Sequence, residues 1–165
     1  MEKILTKLPF GLPGQIYRSS MPFSPMFDPD KRILQAYLDV GVEVVVMLAE
    51  DWEVRDLTGM DLKARYQQLG MSVIHAPIRD FSVPETGDLQ GPIRKTLAAA
   101  RAGQTIVIHC HAGWGRTGIF AACLAKVVFN LPAEEAVYWL RQYIPRAVEN
   151  QVQYEFVSDF KYLGD

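Results

Sequence analysis

The segment 105–118 reads TIVIHCHAGWGRTG and combines a thiol, an arginine and three glycines in one short stretch of the sequence. Its apolar first half predicts a buried strand, and its second half predicts the start of a helix. Cys110 ends the strand, and five residues separate it from Arg116 at the start of the helix. The glycines of the loop allow backbone, or a ligand, to approach closely. This order places a nucleophile beside the first turn of a helix.

Such a loop could hold an anion next to the thiol. Successive amide N–H groups and a helix N-terminus can converge on one point and form a cradle of oriented dipoles. Arg116 at its rim can add the bidentate fork that suits a phosphate. The same field should stabilise a thiolate at Cys110. The alternative is that Cys110 is an inert buried thiol at the end of a strand.

This segment resembles the signature His-Cys-x5-Arg-[Ser/Thr]-Gly of the cysteine-dependent protein tyrosine phosphatase superfamily. Rhodanese-like loops have four residues between the cysteine and the basic residue, and low-molecular-weight phosphatases carry their loop near the N-terminus. The small size of the chain and the form HCxAGxGRTG look most like dual-specificity phosphatases, especially compact prokaryotic members and the Cdc14-like branch. The resemblance covers residues 42–160 approximately.

The resemblance implies a role for each residue of the loop. Cys110 would attack phosphorus, and Thr117 would assist the later departure of the thiolate, although it could instead cap the helix. His109 matches a residue that orders the loop through hydrogen bonds. The residues expected to bind phosphate are His111, Ala112, Gly113, Trp114, Gly115 and Arg116.

A second match lies upstream, where residues 77–84 read PIRDFSVP. In the superfamily an aspartate at this position protonates the leaving oxygen, and Asp80 holds it here. The segment follows a predicted strand, so Asp80 and Cys110 can meet at one sheet edge. Asp80 could instead be a turn former, and Glu85 and Asp88 are the nearby rivals for the acid. Asp88 could equally serve the start of a helix.

A third match covers residues 149–156, which read ENQVQYEF. The tyrosine phosphatases carry a similar Gln-Thr-x-x-Gln-Tyr-x-Phe stretch, whose glutamines help to position the hydrolytic water. Gln153 matches the second glutamine, whereas Glu149 replaces the first and Asn150 replaces the threonine. The stretch could also be an ordinary helix start with Gln153 on a polar face. Which of Gln153 and Glu149 would position the water stays open at this point.

The elements that must position these residues alternate between strands and helices. The predicted strands cover residues 4–8, 15–17, 43–48, 72–76 and 105–109. The predicted helices cover residues 30–40, 61–69, 88–102, 117–130, 132–143 and 148–163. This alternation predicts an α/β fold, with a mainly parallel central sheet and helices on both faces. We expect one catalytic domain over residues 1–165. Ligands in such sheets bind beyond the carboxyl ends of the strands.

The amino-acid composition excludes several classes of protein. The 165 residues are 49% apolar and 22% charged, which is typical of a globular domain, and the formal charge of −2 gives no net field for nucleic acid. Two cysteines, Cys110 and Cys123, form no disulfide framework and match no zinc spacing. Three consecutive residues in His109–His111 cannot easily converge on one metal. We therefore expect no metal or organic cofactor, no membrane span and a cytoplasmic location.

These observations together predict a phosphomonoester hydrolase that works through a phosphocysteine intermediate. The loop carries no lysines to pair with extra phosphates, and Trp114 offers an aromatic surface near the pocket unless it packs beneath the loop. The predicted substrate is therefore phosphotyrosine in proteins, with phosphoserine and phosphothreonine slower. The alternatives are an inositol phosphate or other small-molecule phosphatase of the same mechanism, and a phosphate-binding module without turnover. Sulfur transfer and arsenate reduction are disfavoured by the loop spacing.

Overall fold

A computed structural model describes residues 3–84 and 88–164. The strands are β1 Thr6–Leu8, β2 Ile16–Ser19, β3 Val44–Met47, β4 Ser72–His75 and β5 Ile106–His109. The helices are α1 Ile33–Val40, α2 Asp51–Thr58, α3 Leu62–Gln68, α4 Gln90–Arg101, α5 Gly115–Phe129, α6 Ala133–Arg141 and α7 Gln151–Asp159.

The five strands form one sheet in the order β1-β2-β5-β3-β4, in which β1 is antiparallel to β2 and the other pairs are parallel. The central strand β5 is buried along its whole length, as its run of Ile and Val predicts. At its carboxyl end His109 lies opposite Ser19 of β2 and Met47 of β3. The residues that follow β2, β3 and β5 therefore emerge at one edge of the sheet.

Each face of the sheet carries its own apolar core. Ile106 and Ile108 of β5 point to the face covered by α4, α5, α6 and α7, whereas Val107 points to the face covered by α1, α2 and α3. Helix α5 is buried over its first eleven residues, which explains why its sequence is almost wholly apolar. The predicted α/β architecture, with helices on both faces, is confirmed.

Two differences from the predicted elements bear on the site. Helix α5 begins at Gly115, two residues before the predicted start, so that Arg116 lies in its first turn. Helix α2 was not predicted at all, because its sequence DWEVRDLT is polar and short. A signal for it does exist, since Glu50 and Glu53 form a capping box at its N-terminus and Gly59 ends it with φ +70°.

Candidate active site

Cys110 lies at the floor of a small cavity, directly after β5. The residue is almost fully buried, and its Sγ accepts two hydrogen bonds, from the amide of Gly113 at 3.2 Å and from the hydroxyl of Thr117 at 3.2 Å. Both donors stabilise negative charge on sulfur. The structure thus brings the predicted nucleophile and the predicted thiolate-stabilising hydroxyl into contact.

The carbonyl groups of the loop are turned away from the cavity and held by residues that follow or belong to β2. The bonds run from Met21 N to His111 O at 2.8 Å, from Arg18 Nη2 and Ser20 Oγ to Ala112 O at 2.9 and 2.8 Å, and from Arg18 Nε to Gly113 O at 3.1 Å. Gly113 has φ +84°, and a Cβ there would lie 2.4 Å from both Arg18 Nη2 and Ser19 O. With its carbonyls bound outside, the loop presents its amides to the cavity.

These amides adjoin the N-terminus of α5, which has no side-chain cap. The carbonyl of Trp114 accepts from the amide of Gly118 at 2.7 Å, while the amides of His111, Ala112 and Trp114 donate to no acceptor within residues 3–84 and 88–164. The first N–H groups of a helix also lack intrahelical partners. Together they form the anion cradle that the sequence predicts, open to a tetrahedral oxyanion above Cys110.

Arg116 is fixed almost entirely by other parts of the protein. Its two terminal nitrogens bind the two carboxylate oxygens of Glu53 at 2.7 Å each, and Nη1 also donates to the carbonyl of Ile78 at 3.0 Å. Its Nε is buried and has no partner among the described residues, although the residue lines the cavity above Cys110. One donor of the guanidinium is thus left for a ligand.

Glu53 of α2 keeps this arginine charged and oriented. Burial favours the neutral form of each group, but the mutual hydrogen bonds and charges outweigh it, so the pKa of Glu53 is lowered and that of Arg116 is raised. The result is a buried bidentate ion pair. Glu53 was not predicted from the sequence, because α2, the helix that carries it, was not predicted.

His109 orders the loop from beneath. Its Nδ1 lies 2.9 Å from the carbonyl of Cys110, which can only accept, so Nδ1 carries the proton. Its Nε2 therefore accepts from the hydroxyl of Tyr66 at 2.8 Å. Complete burial lowers the pKa of His109 to about 4, which keeps the ring neutral. Tyr66, which the sequence did not single out, fixes the ring from the far side.

Asp80 lies at the mouth of the same cavity. Its carboxylate is about half exposed, accepts from the amide of Phe81 at 3.0 Å and lies 3.3 Å from Arg116 Nη2. Its rival Asp88 instead accepts from the amide of Gln90 at 2.7 Å, at the start of α4. The other rival, Glu85, lies outside the described residues. Of the two described candidates, Asp80 lines the cavity and Asp88 does not.

Gln153 is fully buried, and both ends of its amide are bound to protein. Its Oε1 accepts from the amide of Glu149 at 2.8 Å, and its Nε2 donates to the carbonyl of Ser82 at 3.2 Å. Asn150 adds a bond of 2.9 Å from its side chain to the carbonyl of Phe81. Gln153 therefore holds the loop that carries Asp80 and does not line the cavity, whereas Glu149 does.

The cavity has a volume of about 270 Å³ and an apolar rim. Met26 and Phe81 stand at its mouth with 73% and 65% of their surfaces exposed. Trp114 is half-buried, packs edge-on against Phe27 and lies beneath the guanidinium of Arg146 at 4.2 Å. Trp114 also lines a neighbouring cavity of about 540 Å³ that includes Lys3 and Arg146. The indole thus lies between the cavity above Cys110 and a second, basic cavity.

Within residues 3–84 and 88–164, no three His, Cys, Asp or Glu side chains lie close enough together to hold a metal ion. No single helix there is long and apolar enough to cross a membrane, and α5 and α6 reach that length only as a pair bent by 115°.

The model of one protein family, described as "Polymorphic toxin system, DSP-PTPase phosphatase", matches residues 21–128. This match covers more than half of the chain and includes Asp80, Cys110 and Arg116. The chain therefore belongs to the cysteine-dependent protein tyrosine phosphatases of dual-specificity type, as the signature predicts.

Individual relatives agree with this placement. The chain is 23% identical over 137 residues to protein tyrosine phosphatase domain-containing protein 1 of Mus musculus, and the match covers 78% of this chain but 18% of the relative. It is 29% identical to Tk-PTP, crystallised in its active form, with TM-score 0.74 and 87% and 89% of the two chains covered. Kinase associated phosphatase, crystallised with its catalytic-site cysteine changed to serine, has the same fold, with TM-score 0.85 at 19% identity and coverage of 94% and 92%.

Proposed function

We propose that this chain hydrolyses phosphomonoesters through a phosphocysteine intermediate. One observation carries the proposal: the loop carbonyls are bound on the outside, so that free amides, the buried Nε of Arg116 and the sulfur of Cys110 meet in one cavity. A phosphate dianion is the ligand whose charge and geometry suit these donors. The sulfur beneath it is then in line to attack phosphorus.

In the first step the thiolate of Cys110 forms an S–P bond while the P–O bond to the leaving group breaks. The cradle amides and Arg116 stabilise the charge on the equatorial oxygens. Asp80, protonated, gives its proton to the leaving oxygen. This assignment is supported by its place at the cavity mouth, beside Arg116.

In the second step water attacks phosphorus, the S–P bond breaks and the electron pair returns to sulfur. The hydrogen bonds from Gly113 and Thr117 to Sγ stabilise the departing thiolate. The water must give up a proton to a carboxylate at the cavity. The resemblance assigns this role to Asp80, now ionised.

The preferred substrate is phosphotyrosine in a protein. The rim formed by Met26, Phe27, Phe81 and Trp114 offers apolar and aromatic surface to an aryl ring above the phosphate. The neighbouring basic cavity with Lys3 and Arg146 would suit acidic groups that flank the phosphorylated residue. We place the protein in the cytoplasm, where a nucleophilic thiolate stays reduced.

The second candidate substrate is a multiply phosphorylated small molecule such as an inositol phosphate. The basic cavity favours it, because Lys3 and Arg146 could pair with additional phosphates. The rim of exposed apolar side chains favours the phosphotyrosine peptide. The two substrates therefore differ in which cavity they use.

The test is a comparison of kcat/KM for phosphotyrosine, phosphoserine and phosphothreonine peptides of one sequence and for inositol phosphates. We expect the phosphotyrosine peptide to be at least tenfold better than the others, and Trp114→Ala to reduce that preference. A tenfold preference for inositol phosphates would overturn the proposed substrate. An unchanged preference in Trp114→Ala would remove the indole from the explanation.

The mechanism itself is tested by Cys110→Ser. We expect the variant to fold, to bind phosphate or vanadate and to lose turnover of p-nitrophenyl phosphate, because a serine hydroxyl is not ionised at neutral pH. Chelators are expected to leave the phosphatase activity of the parent protein unchanged. Substantial hydrolysis by the pure variant would exclude a phosphocysteine intermediate.

A further inference from the structure

Resting on the proposed function, we propose that Glu149 is the base of the second step: its carboxylate accepts a proton from the water that hydrolyses the phosphocysteine. Asp80 remains the acid of the first step. The proposal follows from where the two carboxylates lie and what each of them contacts.

Glu149 lies in the segment between α6 and α7. It lines the cavity together with Cys110, Arg116 and Asp80. Its carboxylate lies over Gly115, the first residue of α5, where a Cβ would be only 2.6 Å from Oε2. The absence of a side chain at Gly115 is what gives this carboxylate room beside the cradle.

The backbone around Glu149 is held in an uncommon conformation. Val148 has φ +59°, which is unfavourable for a β-branched residue. Arg141 binds the carbonyls of Ala147 and Val148 at 3.0 Å each, and Gln153 binds the amide of Glu149 at 2.8 Å. Strained backbone that is fixed by several neighbours is a feature of functional sites. Here it directs Glu149 to the cavity.

The two carboxylates differ in their contacts. Asp80 accepts a hydrogen bond from the Phe81 amide at 3.0 Å and lies 3.3 Å from Arg116 Nη2. The carboxylate of Glu149 has no hydrogen bond or ion pair within residues 3–84 and 88–164. It is therefore the freer acceptor of the two.

The electrostatic surroundings of Glu149 agree with this geometry. Burial and then the charge of Asp80 raise the pKa of Glu149, against the opposing charges of Arg146 and Arg116. A carboxylate with a raised pKa is the stronger base. Because the residue is partly exposed, it can pass the proton on to solvent before the next cycle.

Hydrolysis of the phosphocysteine transfers the phosphoryl group from sulfur to water. The oxygen of water forms a bond to phosphorus, one of its O–H bonds breaks and that proton goes to Glu149. The S–P bond breaks, and its electron pair leaves with Cys110 as the thiolate. The products are inorganic phosphate, the free enzyme and a proton that Glu149 releases to solvent.

The test is rapid-mixing kinetics of Glu149→Gln with p-nitrophenyl phosphate. We expect a burst of nitrophenol close to one equivalent per Cys110, followed by a steady-state rate at least tenfold below that of the parent, because the first step proceeds and the second stalls. Acid quenching of the variant is expected to trap the phosphocysteine. Glu155→Gln removes the same charge from an exposed position on α7 and is expected to behave as the parent.

Glu149→Asp keeps a carboxylate on a shorter stem and is expected to recover part of the steady-state rate. Thermal melting of each variant shows that it is folded. A folded Glu149→Gln variant with the parent's steady-state rate and no trapped intermediate would overturn the role of Glu149. It would leave the proposed function of the protein unaffected. If the parent released no phosphate, or if Cys110→Ser still released it, the proposed function itself would be wrong. The role of Glu149 would then be excluded as well.

Discussion

Arg116 contacts two carboxylates that differ in burial. Glu53 is buried and binds both terminal nitrogens of the guanidinium, whereas Asp80 is half exposed and approaches only one. A buried pair depends on both partners, because either charge alone would be poorly solvated. Glu53 therefore has a structural and orienting task, while Asp80 remains accessible to substrate.

Replacing Glu53 by glutamine is expected to reduce both stability and activity. The buried guanidinium would keep its charge and lose its buried counter-ion, a change that costs about 3–5 kcal/mol of unfolding free energy. Arg116 would also lose its orientation, so kcat/KM is expected to fall at least about tenfold. Urea unfolding and steady-state kinetics measure the two effects.

The matched control is Asp51→Asn, which removes an exposed charge from the same helix. Its effect on stability is expected to stay below about 1 kcal/mol. If Glu53→Gln behaved like this control, the buried pair would have no part in holding Arg116.

Asp80→Asn tests the acid of the first step. The loss of rate is expected to grow with the pKa of the leaving group, because a poor alkoxide needs its proton in the transition state and a nitrophenolate does not. The measurement is kcat/KM for a series of aryl and alkyl phosphates. Equal losses across the series would remove Asp80 from this role and direct attention to Glu85 and Asp88.

At the scale of elements, the loop between β5 and α5 takes its shape from β2. Arg18, at the carboxyl half of β2, binds the carbonyls of Ala112 and Gly113, and Ser20 binds the first of these again. These bonds help to keep the amides of the five-residue loop 110–114 pointing into the cavity. The anion cradle therefore depends on two neighbouring parallel strands: β5, which leads into the loop, and β2, which carries Arg18.

Arg18→Met is expected to weaken anion binding as well as the fold. Each charge-assisted hydrogen bond contributes about 1.5–3 kcal/mol, and the two lost bonds both act on the loop. The affinity for vanadate, measured by calorimetry, is expected to fall at least about tenfold. Lys7→Met, at an exposed position of β1, is the control. Equal vanadate affinity in both variants would show that the loop keeps its shape without Arg18.

The local parts of the site could be predicted from the sequence. Cys110, Arg116 and Thr117 belong to one strand–loop–helix unit, which their spacing identifies. Asp80 was assigned from the family resemblance, and it follows β4, which β3 separates from β5 in the sheet. Glu53, Tyr66 and Arg18 could not be found in this way, because each acts on the loop from an element far away in the chain. Gln153 was found, but its contacts with Ser82 and Glu149 depend on the exact path of two loops that no periodicity describes.

At the scale of the whole molecule, stability is expected to fall when the solution becomes acidic. Folded His109 has a pKa of about 4, below its ordinary 6.5, so the unfolded chain takes up this proton first. The stability contributed by neutral His109 is complete above pH 6.5 and is lost as the pH falls towards 4. The full loss is about 3 kcal/mol.

Urea unfolding between pH 7 and pH 4.5 measures this loss, and NMR of the imidazole signals reports the pKa directly. His109→Gln is expected to be less stable at pH 7 and to show a smaller dependence on pH over the same interval. Equal slopes for parent and variant would assign the acid sensitivity to other groups.

The bond from Arg18 to Gly113 also has a consequence for the order in which the chain folds. It joins residues 95 positions apart, whereas β5, its loop and α5 are contiguous. Contacts so distant in sequence close large loops and tend to form late. During refolding we therefore expect helix content to return before vanadate binding does. A newly made chain would hold Cys110 for a time without the cradle that makes it a catalyst.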